Sequence, residues 1–154
     1  MVTAANQPNV NPNAASATRR GRVVVATELG YCWGVRRALD IIQNAADAGG
    51  PIAPIGDVIH NPQVVIRLRE RGVEGAASVN EAVNRGFQRV AITAHGMGPH
   101  LAEEANQAGV ELVDTTCPLV TKVHQEAKRF ARDDYDIVLI GHEGHEEVEG
   151  TAGE

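Results

Sequence analysis

Apolar positions along this chain switch repeatedly between a period of two and a helical period. Val23-Val24-Val25-Ala26 is a short β-branched run that predicts a buried strand. From Gly34 to Ala48, Val35, Ala38, Leu39, Ile42 and Ala45 recur at helical spacing, and Gly49-Gly50-Pro51 ends that helix. Ile52-Ala53-Pro54-Ile55 predicts a weak strand, and its proline suggests an edge position. Asn61-Pro62 opens a helix with proline at its first position, Val64, Val65 and Leu68 forming the apolar face and Gly72 closing it. Ser78 begins a short helix through Val83, and Glu81 completes a capping box. A strand over Arg89–Ala94, a helix over Pro99–Ala108 and a strand over Val110–Val113 follow. A helix from Cys117 to Arg132, a strand over Asp136–Ile140 and the start of a helix over Glu146–Thr151 complete the pattern.

This alternation predicts an α/β fold of repeated units with short parallel sheets. In such sheets the functional loops lie beyond the carboxyl ends of the strands. Cys32, His60, His95, Cys117, His142 and His145 each follow a predicted strand, so the pattern gathers them at one sheet edge. Residues 1–20 have no apolar period and are rich in Asn, Ala, Pro, Thr and Ser, which predicts a disordered tail. Residues 21–116 read as a first α/β domain. Residues 117–154 read as the start of a second, incomplete one, so the expectation is the front part of a longer protein.

Composition narrows the classes. The chain has 154 residues and a net charge of −6, which argues against a general nucleic-acid binder. No apolar run has the length of a membrane span. Two cysteines do not make a disulfide framework, so a reducing, cytoplasmic setting is expected.

Cys32 and Cys117 each stand where a helix begins, the position that favours a thiolate. Such a thiolate serves as metal ligand, nucleophile or redox group, and spacing alone leaves the three open. Neither cysteine has a near neighbour, so zinc-ribbon and thioredoxin readings fail. A cluster held between similar units would want a third cysteine. In His142-Glu143-Gly144-His145-Glu146-Glu147 the histidines are three apart, not the four of a zinc-protease helix. Glu146, Glu147 and Glu149 compete as proton-handling groups there. His60, His95 and His145, all in loops near helix starts, read together as a site for a phosphate or diphosphate. His124 reads as a surface residue in mid-helix, and Trp33 as packing beside the first cysteine loop.

Together these motifs resemble the 4-hydroxy-3-methylbut-2-enyl diphosphate reductase (LytB) family. The resemblance rests on Gly30-Tyr31-Cys32-Trp33-Gly34-Val35-Arg36-Arg37-Ala38, Val58-Ile59-His60-Asn61-Pro62 and Ala94-His95-Gly96. It extends through Asp114-Thr115-Thr116-Cys117-Pro118-Leu119-Val120-Thr121-Lys122-Val123-His124 and the segment Gly141 to Thr151. It implies that Cys32 and Cys117 ligate a 4Fe–4S cluster, that His60, His95 and His145 bind the substrate diphosphate, and that Glu147 is the proton donor. It implies reductive dehydroxylation to isopentenyl and dimethylallyl diphosphates in the non-mevalonate isoprenoid pathway. The electrons would come from a donor such as ferredoxin or flavodoxin. It also implies three similar α/β domains around a central cluster, with the second domain truncated here and a third cysteine ligand absent from this chain, so that the chain alone is expected to be inactive. The competing reading is a metal- or diphosphate-binding α/β module without reductase activity.

Overall fold

Short parallel strands, each returned by a helix, follow from the sequence's alternation of β-branched and helix-period segments. The computed structural model describes residues 22–154; the tail expected over residues 1–20 lies outside them. The elements are α1 (Trp33–Gly49), β1 (Ala53–Pro54), α2 (Pro62–Arg69), α3 (Val79–Asn84), β2 (Arg89–Ile92), α4 (His100–Ala108), β3 (Glu111–Asp114), α5 (Pro118–Arg132) and α6 (Glu146–Ala152). The strands form one parallel sheet in the order β1-β2-β3, with Ala53 opposite Val90 and Ala91 opposite Val113. The proline-bearing strand is outermost of the three, yet parallel bridges Ile52–Val73 and Ile55–Ala76 flank its far side, so it is not the free edge its proline suggests; Pro54 O accepts from Ala76 N–H there.

Period-two alternation divides the core. Ala91 and Ala94 face Ala38, Leu39 and Ile42 of α1 and Val64 and Leu68 of α2. Val90 faces the other way, against Val79 and Ala82 of α3 and Leu101 and Ala105 of α4. Helices thus cover both faces, as a parallel sheet requires.

Local signals set the boundaries. Gly50 (φ +81°) donates its N–H to Ala46 O at the end of α1, and Gly109 (φ +69°) turns the chain out of α4. Asn61 caps α2 by accepting from Val64 N–H. The capping box forms with a displacement of one residue: Ser78 Oγ accepts from Glu81 N–H, while Glu81 Oε2 accepts from Ala77 N–H rather than from that of Ser78.

Two expected strands do not form. Val23–Ala26 is irregular and exposed, Val23 to 87%, and so is Asp136–Ile140, with Val138 exposed to 83%. Both have the composition of strands. Neither has a neighbour among the described residues to satisfy its backbone, and a strand exists only as part of a ladder. Trp33 is 62% exposed and does not shield the cysteine loop. His124, expected on the surface, is the buried residue of α5.

Candidate functional site

The sheet continues as single hydrogen bonds beyond its strands, and these align the loops that carry the chemistry. Ala94 N–H donates to Val58 O (3.2 Å) and Cys117 N–H donates to Ala94 O (3.0 Å). The segments leading to His60, His95 and Cys117 therefore run side by side at the carboxyl edge. Thr115 N–H and Oγ1 both donate to Ile92 O, and Arg37 Nη1 of α1 donates to Thr116 O at 3.0 Å, which ties α1 to the Cys117 loop.

Cys32 and Cys117 are the N-cap residues of α1 and α5, and neither thiol caps its own helix. Both are free, Cys32 exposed and Cys117 half-buried. The two helix starts meet. A Cβ built on Gly34 would lie 2.4 Å from Cys117 Sγ, so the second thiol rests against the first turn of the helix that Cys32 opens.

The three predicted histidines form one cluster. His60 stacks on His95 with ring centroids 4.2 Å apart, and His145 meets both rings edge-on at 5.8 and 5.9 Å. His145 Nδ1 accepts from Glu147 N–H (3.2 Å). An accepting Nδ1 leaves the proton of the neutral ring on Nε2, which becomes a free donor. His95 Nδ1 lies 3.5 Å from Glu147 Oε1, and His95 Nε2 is buried with no partner.

The three competing glutamates separate. Glu147 alone among them is paired with the histidine cluster. Glu146 turns inward, accepting from Thr93 Oγ1 (3.2 Å) and packing against Gly56. Glu149 is exposed. His142 stays outside the ring cluster and is exposed. Thr93, fully buried, also accepts from His95 N–H (3.3 Å), so one hydroxyl joins β2, the His95 turn and α6. Sequence reasoning missed Thr93, Gly34 and His124. A glycine in the first turn of a long helix was the available signal for Gly34, and the spacing Val120–His124–Ala127 on one helix face was that for His124.

A cavity of about 840 Å³ lies elsewhere, at the amino ends of the strands between Gly49, Arg89, Gly109 and Glu111. It carries none of the candidate residues, so chemistry rather than volume locates the site. Among the described residues no three or more His, Cys, Asp or Glu side chains are arranged to hold a metal ion by themselves. The two thiols nonetheless fit an iron–sulfur cluster as two of its ligands: both are free, neither is committed to capping, and Cys117 rests against the helix that Cys32 opens.

The family model described as LytB protein matches residues 23–154. The chain belongs to the LytB family. The 4-hydroxy-3-methylbut-2-enyl diphosphate reductase of Nocardia farcinica is 53% identical to it over 137 residues, covering 86% of this chain and 39% of that protein. The enzyme of the same name from Corynebacterium diphtheriae is 44% identical over 154 residues, covering 99% of this chain and 46% of that protein. Among solved structures, the E-1-hydroxy-2-methyl-but-2-enyl-4-diphosphate reductase of Plasmodium falciparum matches with a TM-score of 0.71 at 32% identity, covering 80% of this chain and 39% of that one. A second reductase structure matches with a TM-score of 0.69 at 32% identity, covering 85% and 46%. This LytB-family chain thus spans less than half the length of these relatives. No described helix is long and apolar enough to cross a membrane.

Proposed function

We propose that this chain contributes two cluster thiolates and a diphosphate cradle to a 4-hydroxy-3-methylbut-2-enyl diphosphate reductase. The observation that carries the reading is the meeting of Cys117 with the Cys32 helix, together with a cluster of three histidines, two of which, His95 and His145, contact Glu147. Cys32 and Cys117 would hold a 4Fe–4S cluster together with a thiolate from outside this chain. When bound, such a cluster supplies electrons and a Lewis-acidic iron.

The chain's own residues would do the rest. His145 Nε2–H and the unpartnered His95 Nε2 would donate to diphosphate oxygens, with His60 stacked on the His95 ring. The Glu147 carboxyl would hold the proton delivered to the departing hydroxyl. His95 Nδ1, 3.5 Å away, would orient that carboxyl, and a proton would pass between them once the contact closes to hydrogen-bond distance. The products would be isopentenyl and dimethylallyl diphosphates, in a cytoplasmic setting with ferredoxin or flavodoxin as electron donor.

The test replaces the matching segment of the Nocardia farcinica reductase with this chain. The expected result is an anaerobically purified protein with bound iron and sulfide and reductase activity, while Cys32→Ser or Cys117→Ser strips the iron. A chimaera that folds yet keeps its iron content without these thiols sinks the assignment. Activity is not expected from the 154-residue chain alone.

A further inference from the structure

His124 is buried to 7% exposure on a helix whose other residues are half-buried or exposed. Burying an imidazole costs free energy unless its nitrogens are satisfied. One of them is: His124 Nδ1 lies 2.9 Å from Glu154 Oε1, and that carboxylate is itself 6% exposed. Lys128, one turn further along α5, brings its Nζ to 2.5 Å from Glu154 Oε2, close enough for an ion pair though poorly aligned for a hydrogen bond. His124 Nε2 has no partner. The mechanism uses none of these groups.

Their position relates them to the site. His124 Cε1 would lie 3.2 Å from a Cβ on Gly96 and 3.4 Å from one on Gly150. Gly96 follows His95, and Gly150 lies one turn beyond Glu147 on α6. The same seam has Gly150 against the Met97 backbone and Gly153 against Gly98. Small residues let α6 meet the His95 turn backbone to backbone. The His124 ring is wedged where they meet, and Glu154, just past the end of α6, grips it.

We propose that His124, held by Glu154, is a positioning residue that fixes the distance between the His95 turn and α6, and so assembles His95, His145 and Glu147 into one cradle. A ring with buried contacts on two backbones sets a separation that a flexible side chain cannot. The link to anion binding rests on the function proposed above; the link to ring geometry does not.

The experiment uses the 154-residue chain, with NMR of its histidine ring protons and titration with inorganic pyrophosphate. His124→Leu keeps volume and removes the donor. Glu154→Ala removes the acceptor, and Glu154→Gln restores one. The wild type should show a ring-to-ring Overhauser contact between His95 and His145 and should bind pyrophosphate. His124→Leu and Glu154→Ala should lose that contact and bind about tenfold more weakly, the loss expected for one hydrogen bond to a charged group. Glu154→Gln should keep both. Retention of the ring contact or of the affinity in His124→Leu and Glu154→Ala overturns the proposal. If the wild type does not bind pyrophosphate, the diphosphate reading fails, and the ring contact alone decides on His124. If His124→Leu does not fold, Glu154→Ala carries the test.

Discussion

Gly34 and Cys117, from different helices, occupy one another's space: a Cβ at Gly34 would stand 2.4 Å from the Cys117 sulfur and 3.3 Å from its Cβ. Gly34→Ala would gain about 1 kcal/mol in helix propensity. Against this stands an overpacking cost of about 1–3 kcal/mol, because Cys117 N–H is pinned to Ala94 O and Gly34 is buried. We expect the clash to win, with a net loss of about 1 kcal/mol in urea unfolding and altered alkylation of Cys117. Unchanged stability and unchanged thiol reactivity would show that the helix starts do not press on each other.

Thr93→Val should loosen α6. It removes the donor to Glu146 and the acceptor for His95 N–H while preserving shape. A hydrogen bond to a charged group is worth about 2 kcal/mol. Hydrogen exchange should therefore accelerate in α6 and at the His95 amide and leave α3 and α4 untouched. Uniform acceleration throughout the chain would indicate global destabilisation instead.

Gly96→Ala should cost at least about 2 kcal/mol, since a left-handed conformation alone costs a side chain about 1–2 kcal/mol. Gly96 has φ +75°, and the new Cβ would meet Val120, His124 and Thr116 at 3.0–3.2 Å. Thermal or urea unfolding of the variant tests this, and wild-type stability would contradict the crowding.

The α3 capping box predicts a dependence on pH. Glu81's carboxyl is held below its ordinary range, first by the Ala77 N–H it accepts and then by Arg85. A depressed carboxylate contributes stability that is present above its unfolded value, about 4.3, and is lost as pH falls through the lower folded value. Glu81→Gln should therefore narrow the difference in stability between neutral and acid solution. Ser78→Ala should cost about 1 kcal/mol across that range. A Glu81→Gln protein with the wild-type acid profile would exclude Glu81 as a contributor.

The two unpaired apolar runs should make the chain self-associate. Val23–Val25 and Ile137–Ile140 expose β-branched and leucine side chains on backbones without ladder partners among the described residues. Val138→Lys with Ile140→Lys should reduce light scattering at fixed concentration without lowering the unfolding midpoint, because both side chains are exposed. A lowered midpoint would mean that these residues pack in solution.

Much of the fold could be read from local chemistry. Gly50, Asn61, Ser78 and Gly109 act at their helix ends through bonds within a few residues, and the alternation of Val90, Ala91 and Ile92 assigns each to a sheet face by period alone. Val23–Ala26 and Asp136–Ile140 show where that reading stops. Their strand-like composition is a local property, but pairing needs a second segment in place, and none is present among the described residues.

The candidate site divides in the same way. Local patterns along the chain were enough to single out the candidate residues: two cysteines at helix starts, histidines in loops after strands, and a run of glutamates. How they are shared out came from the packing of the folded chain. It set Cys117 against the Cys32 helix, stacked His60 on His95, turned Glu147 to the rings and Glu146 to Thr93, and buried His124 between two glycines. Each of these is a contact between segments distant in the chain. Such contacts depend on which backbones approach closely enough to touch, and no spacing along a single helix or strand encodes that.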